Sequence, residues 1–358
     1  LPGTKAPSFS QHGGFLPTGD SLTILSASGD IYYTLDGSDP RAEGGDVLGM
    51  LYSDPLIMDR SAKVTARARS EGGEWSPATS AFFFSEMPAS ASNLVISEIM
   101  YNQVGPDDSE FIELWNRSET DVIDLSGVQF VAGISFVFEA NTTLAPNERA
   151  VLTRSAEAFR VKYGDGVRIL GEFATGTALG NSGDRLELQG AAGEEILNFR
   201  YETVGAWPER ADGGGSSLVL VDSLSYQEPA SWKLSSRDGG SPGATDTIAF
   251  TGDPMVDADN DGLNAGFEYL LGSSDESYSP LGEILRLEVG ESWVTVKCPL
   301  NLFAEERLLV TYSNDLKDWS KQARILEQVW QGEGQAELLV RIPKSQASYF
   351  RVEKKSLR

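Results

Sequence analysis

The chain reads as an all-β protein built of tandem sandwiches. Short runs of β-branched and aromatic residues alternate with polar ones and are cut by Gly, Asp and Asn turns, the pattern of half-buried strands. Turn formers are abundant, with 37 Gly and 16 Pro in 358 residues. Only two stretches carry helical spacing: residues 155–163 (SAEAFRVKY), with Ser155 as N-cap and Ala158, Phe159 and Lys162 on the helix, and the segment after Asp261. At roughly 100–150 residues per domain the length predicts two to four domains.

The charge balance and the scarcity of His and Cys remove several function classes. With 53 acidic against 29 basic residues the formal charge is −24, and a phosphate backbone would be repelled almost everywhere. Nucleic acid is therefore not an expected partner. Cys298 is the sole cysteine and His12 the sole histidine, so the chain holds no internal disulfide, no Cys/His zinc site and no Ser-His-Asp or Cys-His pair that omits His12. No window approaches the roughly 18 apolar residues of a membrane helix. The start at Leu1, without Met or a secretory leader, leads us to expect a processed or truncated piece of a longer protein.

Charge divides unevenly, with −5 over residues 1–90, −13 over 91–250 and −6 over 251–358. Residues 87–92 (MPASAS) and 238–247 (DGGSPGATDT) read as linkers. The expected units are 1–86, 93–246, 251–275 and 280–358.

In the first unit, residues 31–35 (IYYTL) run into Asp36-Gly37-Ser38-Asp39-Pro40, a strand entering a tight turn. Residues 63–69 (KVTARAR) alternate strictly and predict Val64, Ala66 and Ala68 on the inner face. IYYTLDGSDP, YSDPLI at 52–57, KVTARAR and GEWS at 73–76 resemble the chitobiase/β-hexosaminidase C-terminal β-sandwich domain. That resemblance implies a noncatalytic accessory sandwich. SFSQHGG at 8–14 resembles the entry to this module in large secreted bacterial proteins with a CotH-like kinase domain upstream, although no Gly-rich loop with a strand Lys and no HRD-type loop is present here. Tyr32, Tyr33 and Trp75 are candidates for a sugar-stacking platform; packing within a small sandwich is the commoner use of such rings.

In the second unit, residues 94–101 (LVISEIMY) and 110–116 (EFIELWN) are alternating strands joined by an acidic turn. Further strands are expected at 128–132, 149–153, 185–189, 196–201 and 217–221, and seven or so short strands make an immunoglobulin-like sandwich. ISEIMYN, EFIELWN, IDLSGV at 123–128, Leu144-Ala145-Pro146 and GDRLEL at 183–188 resemble a lamin-tail domain of the bacterial extracellular kind, and Trp232 followed by DGGSPG at 238–243 resembles the way such domains close. The resemblance implies a binding or display module without catalysis. Alternation places Glu113 with Phe111 and Trp115, and a carboxylate there needs hydrogen bonds, an ion pair or a metal. Asp107, Asp108 and Glu110 would be solvated turn charges or, less simply, a cation site. A carboxylate pair for glycoside hydrolysis needs a defined separation that sequence does not give. The N-x-S/T triplets at Asn116 and Asn141 are read as chance matches.

The sharpest motif opens the third unit. Asp257, Asp259, Asp261, Gly262 and Glu268 fit the twelve-residue loop D-x-D-x-D-G-x5-E. The three Asp would offer side-chain oxygens to Ca²⁺, Leu263 its carbonyl, Ala265 at most a water, and Glu268 a bidentate carboxylate. Three Asp within five residues repel one another unless a cation intervenes. Leu263, Phe267, Leu270 and Leu271 predict an exiting helix that docks on a sheet. Because 251–254 (TGDP) is a turn, no entering helix is expected, and the motif resembles the DxDxDG repeats of dockerins and thrombospondin type 3 segments. Strands are expected at 284–289, 293–297, 307–312 and 336–342, and LVTYSNDLKDW at 309–319 with YFRV at 349–352 resembles a small fibronectin-III-like terminal sandwich. The basic end KKSLR is too short to matter.

The sequence thus predicts tandem immunoglobulin-like β-sandwich domains with one short calcium-loop helix. The expected function is a noncatalytic scaffold, adhesion or display region, secreted or at the cell surface, rigidified by Ca²⁺ and binding a protein or a cell-surface polysaccharide. The alternatives are a carbohydrate-binding accessory for an enzyme domain outside the chain, and a hydrolase using an acidic pair within it.

Overall fold

The computed structural model describes residues 3–221 and 225–355, the side chains of Asp107 and Lys355 excepted. Leu1 and most of the basic end thus lie outside the described residues. The chain is all-β, with paired sheets in successive sandwiches and, among the described residues, three α-helices. Among the described residues, no helix is long and apolar enough to cross a membrane.

In the strand Ala62–Arg69 the side chains of Val64, Ala66 and Ala68 are fully buried, as their alternation demands. That strand centres a five-stranded sheet ordered Gly14–Phe15, Thr79–Phe84, Ala62–Arg69, Asp30–Thr34, Met50–Leu51. Two short ladders, Ser8–Phe9 with Ile24–Leu25 and Ser21–Leu22 with Leu56–Ile57, bring Phe9, Leu22 and Ile24 onto its inner face.

The second sandwich packs a six-stranded sheet against a four-stranded one. The larger runs Ile169–Glu172, Arg149–Thr153, Phe111–Asn116, Leu94–Met100, Leu218–Leu220, Trp232–Leu234; the smaller runs Phe136–Val137, Gln129–Ala132, Asp184–Gln189, Glu195–Tyr201. Leu94–Met100 departs from simple alternation, because all seven residues are buried. Its outer face is covered by helix α1, Ala156–Tyr163, and by the returning segment 239–246. Ser155 caps α1 by accepting from Ala158 N at 3.3 Å, and Phe159 packs edge-on against Phe111 beside Met100 and Val151.

Both stretches that read as linkers belong to this sandwich. Met87–Pro88 pairs in parallel with Ile123–Asp124, and Ser61 of the first unit donates to the buried Asp124 carboxylate, so the passage between the two units is a packed contact. In the 238–247 stretch, Ser241 and Asp246 are buried. Small, flexible residues there allow the backbone to approach the sheet closely: a Cβ at Gly240 would stand 2.1 Å from Glu98 Oε1.

The terminal sandwich pairs Arg286–Val289, Trp293–Asn301, Gln335–Pro343 and Arg324–Gly332 in one sheet and Lys321–Gln322, Arg307–Ser313 and Tyr349–Lys355 in the other. Arg324–Gly332 escapes the periodicity test because its register shifts between Ile325 and Glu327 and its buried residue is the polar Gln328. A one-turn helix after Pro280, Leu281–Ile284, was likewise not legible. Leu263, Leu270 and Leu271 join Val296, Cys298 and Leu338 in the core, so the calcium-motif helix α2, Ala265–Leu271, is part of this sandwich.

Candidate metal centre

Asp257, Asp259 and Asp261 each offer a carboxylate oxygen, and these lie within 4.8 Å of one another. The backbone wraps to achieve this: Asn260 has φ 60° and Gly262 φ 94°, left-handed values that Asn and Gly tolerate best. Amides inside the turn hold the carboxylates inward, with Asp261 N donating to Asp257 Oδ1 at 3.2 Å and Asp259 Oδ1 at 3.1 Å, and Gly262 N to Asp257 Oδ2 at 3.1 Å. Leu263 N donates to Asp261 Oδ1 at 2.8 Å. Asn264 then caps α2 by accepting from Phe267 N at 3.0 Å, which sets Glu268 in the first turn.

Glu268 is only 1 % exposed, and its Oε2 has no hydrogen-bond partner; neither does the buried Asp259 Oδ2. Burial pushes the Glu268 carboxyl up to about 7, against the opposing Ser273 hydrogen bond and with help from the charges of Asp259, Asp261 and Asp275. Burial also raises Asp259, its hydrogen bond from Asp261 N opposing and the neighbouring Asp charges adding. Two buried, unsatisfied carboxylate oxygens beside a convergent Asp triplet suit a hard cation that takes only oxygen ligands. Glu268 stands outside the 4.8 Å group. With no His or Cys in the set, a soft or borderline metal finds no preferred donor.

The buried acidic candidates of the second unit have protein partners. Glu98 and Glu113 are 1 % and 0 % exposed. Ser217 Oγ and Ser241 N donate to Glu98 Oε1 and Ser241 Oγ to Oε2; Ser97 Oγ and Arg149 Nη1 donate to Glu113 Oε1 and Gly243 N to Oε2. Glu98 is raised to about 8 by burial and by the charge of Glu113, while Glu113 is raised by burial with Arg149 opposing. Strand register puts Glu113, Glu98, Val219 and Lys233 in one row on the outer face. The returning segment is pinned along that row through Gly243, Ser241 and Asp246, the last accepting from Lys233 Nζ at 2.7 Å. In the acidic turn, Glu110 is buried and paired with Arg154 at 3.3 Å, which corrects its reading as a solvated charge, while Asp108 is exposed.

Tyr32, Tyr33 and Trp75 do not form one platform. Adjacent positions on Asp30–Thr34 send the two Tyr to opposite faces; Tyr33 meets Tyr52 at 6.3 Å in the core, and Tyr32 meets Trp75 at 5.5 Å. Trp75 is 7 % exposed, with its Nε1 donating to Gly45 O at 2.8 Å and Arg69 lying over its ring. It lines a shallow recess of about 490 Å³ together with Arg41, Asp46 and Arg69.

The fold defines a multidomain chain of immunoglobulin-like modules, and family comparison specifies two of them. Residues 87–203 match the lamin tail domain, and residues 21–83 match the Fn3-associated domain. Both are typically noncatalytic module types. The lamin-tail match begins at Met87, in agreement with the strand found there, and the sandwich continues past 203 through Leu218–Leu220 and Trp232–Leu234. No curated protein matches the chain.

Proposed function

We propose that the chain is a noncatalytic scaffold, adhesion or display region of a larger secreted or cell-surface protein, with Ca²⁺ rigidifying its C-terminal joint. The observation that carries the calcium reading is the convergent Asp triplet together with the buried, unpartnered Glu268 Oε2 of the same twelve-residue motif. The dication would offset charges that otherwise repel, and it would tie the loop to helix α2, whose Leu270 and Leu271 sit in the terminal core. Extracellular calcium lies near the millimolar range in which modest sites fill. Binding to the folded state alone adds about 2.7 kcal/mol when free calcium is about 100 times Kd. The test is calorimetric titration with Ca²⁺ and thermal melts in calcium and in chelator. Saturable uptake and an upward shift of several degrees are expected; unchanged melts with no bound calcium would overturn the reading.

A second reading, carbohydrate binding by the first module, draws on the Tyr32–Trp75 ring pair beside the Trp75 recess. Its test is polysaccharide pull-down with the full chain and with Tyr32→Ala. Retention that depends on Tyr32 favours it, and no retention by the parent chain excludes it for the glycans used.

A further inference from the structure

The twelve-residue motif is one side-chain oxygen short, because its ninth position is Ala265. The fold compensates from outside the motif. After α2 the chain turns back at Gly272, where φ is 74°, and the following segment touches the loop at three places. Ser273 Oγ donates to Glu268 Oε1 at 3.1 Å, Ala258 N donates to Asp275 Oδ1 at 2.9 Å, and Ser279 N donates to Asp261 Oδ2 at 2.9 Å. Asp275 is thus held by the backbone of the loop itself and, like Glu268, stands outside the 4.8 Å group of the three Asp. The motif spacing contains no sign of it.

We infer that Asp275 is a further ligand of the cation, supplying from the connector the oxygen that Ala265 lacks, so that one ion fastens residues 273–279 onto the loop. This rests on the calcium reading of the loop. Its independent support is the half-buried Asp275 carboxylate anchored against the loop, together with the nine-tenths-buried Glu268 whose Oε2 still needs a partner. Four motif carboxylates plus Asp275 place five formal negatives around one site, a set that favours a dication over a monovalent ion. The consequence is regulatory. The connector into the terminal sandwich is ordered in calcium and loosened without it.

The experiment uses the full chain with Ca²⁺ and, as a luminescent stand-in, Tb³⁺. Asp275→Asn keeps an acceptor for Ala258 N but removes the charge. It should weaken Ca²⁺ binding about tenfold or more, and Tb³⁺ luminescence lifetimes in H₂O and D₂O should report about one additional bound water. Calcium should protect residues 272–284 from proteolysis in the parent chain and no longer do so in the variant. Equal melts of parent and variant in chelator verify that the variant folds. Unchanged affinity and hydration in Asp275→Asn, with the parent binding normally, would overturn the assignment alone. A parent chain that binds neither ion, as Asp257→Asn is expected to behave, would overturn the loop reading and this assignment together.

Discussion

Glu98 is a buried carboxyl whose protonation bears on the stability of the lamin-tail module. Its folded-state value is raised from 4.5 to about 8, first by burial and then by Glu113. A carboxyl raised on folding contributes stability that is full below its unfolded value and is lost as pH climbs through the folded one, so the window runs from about 4.5 to about 8. Glu98→Gln keeps an oxygen for Ser241 N and Ser217 Oγ without a charge to desolvate. The variant should match the parent near pH 4.5 and exceed it above pH 8 by on the order of a few kcal/mol, as measured by urea melts across pH. Part of this was legible: alternation set Glu113 beside Phe111 and Trp115, and a carboxylate there had to be satisfied. The donors were not legible, because Ser241 and Gly243 lie more than a hundred residues away in sequence and read as linker.

At the scale of elements, helix α2 has two tasks, presenting Glu268 to the loop and burying Leu270 and Leu271 in the terminal core. Leu270→Ala should cost about 2–5 kcal/mol and lower calcium affinity as well, since the helix that positions Glu268 loses its seat. Chemical denaturation and calorimetry on the same variant test both effects. The helix was legible from the spacing of Leu263, Phe267, Leu270 and Leu271, and the loop from its Asp register. Arg324–Gly332 was not, because a register shift beside Gln328 breaks the alternation on which strand recognition depends. Asp275, the further ligand we infer, escaped for a related reason: a fixed-length motif reads candidate ligands along the chain, whereas this carboxylate arrives through a turn after the helix.

Across the whole molecule, the lamin-tail and terminal sandwiches meet beside a buried ion pair of the former. Lys233 Nζ donates to Asp246 Oδ2 at 2.7 Å and also to the carbonyl of Leu302, while Leu234, Leu302 and Ala336 make a small shared core. Lys233→Ala leaves Asp246 buried with an uncompensated charge and should cost about 3–5 kcal/mol, splitting a single calorimetric transition into two as the sandwiches uncouple. Replacing both partners by apolar residues should recover much of that loss. The sequence reads 238–247 as a linker, but small polar residues suit a buried strap as well as a flexible one, and only the pairing partners distinguish the two. Beside the ion pair, Gln328 Nε2 donates to Trp232 O at 3.0 Å and Leu234 N donates to Gln328 Oε1 at 3.3 Å. A single side-chain amide thereby occupies one outward acceptor and one outward donor of the last strand in the six-stranded sheet. An open strand edge is a template for another chain. The terminal sandwich therefore also guards solubility, and a chain ended at residue 246 would expose that edge to lateral self-association.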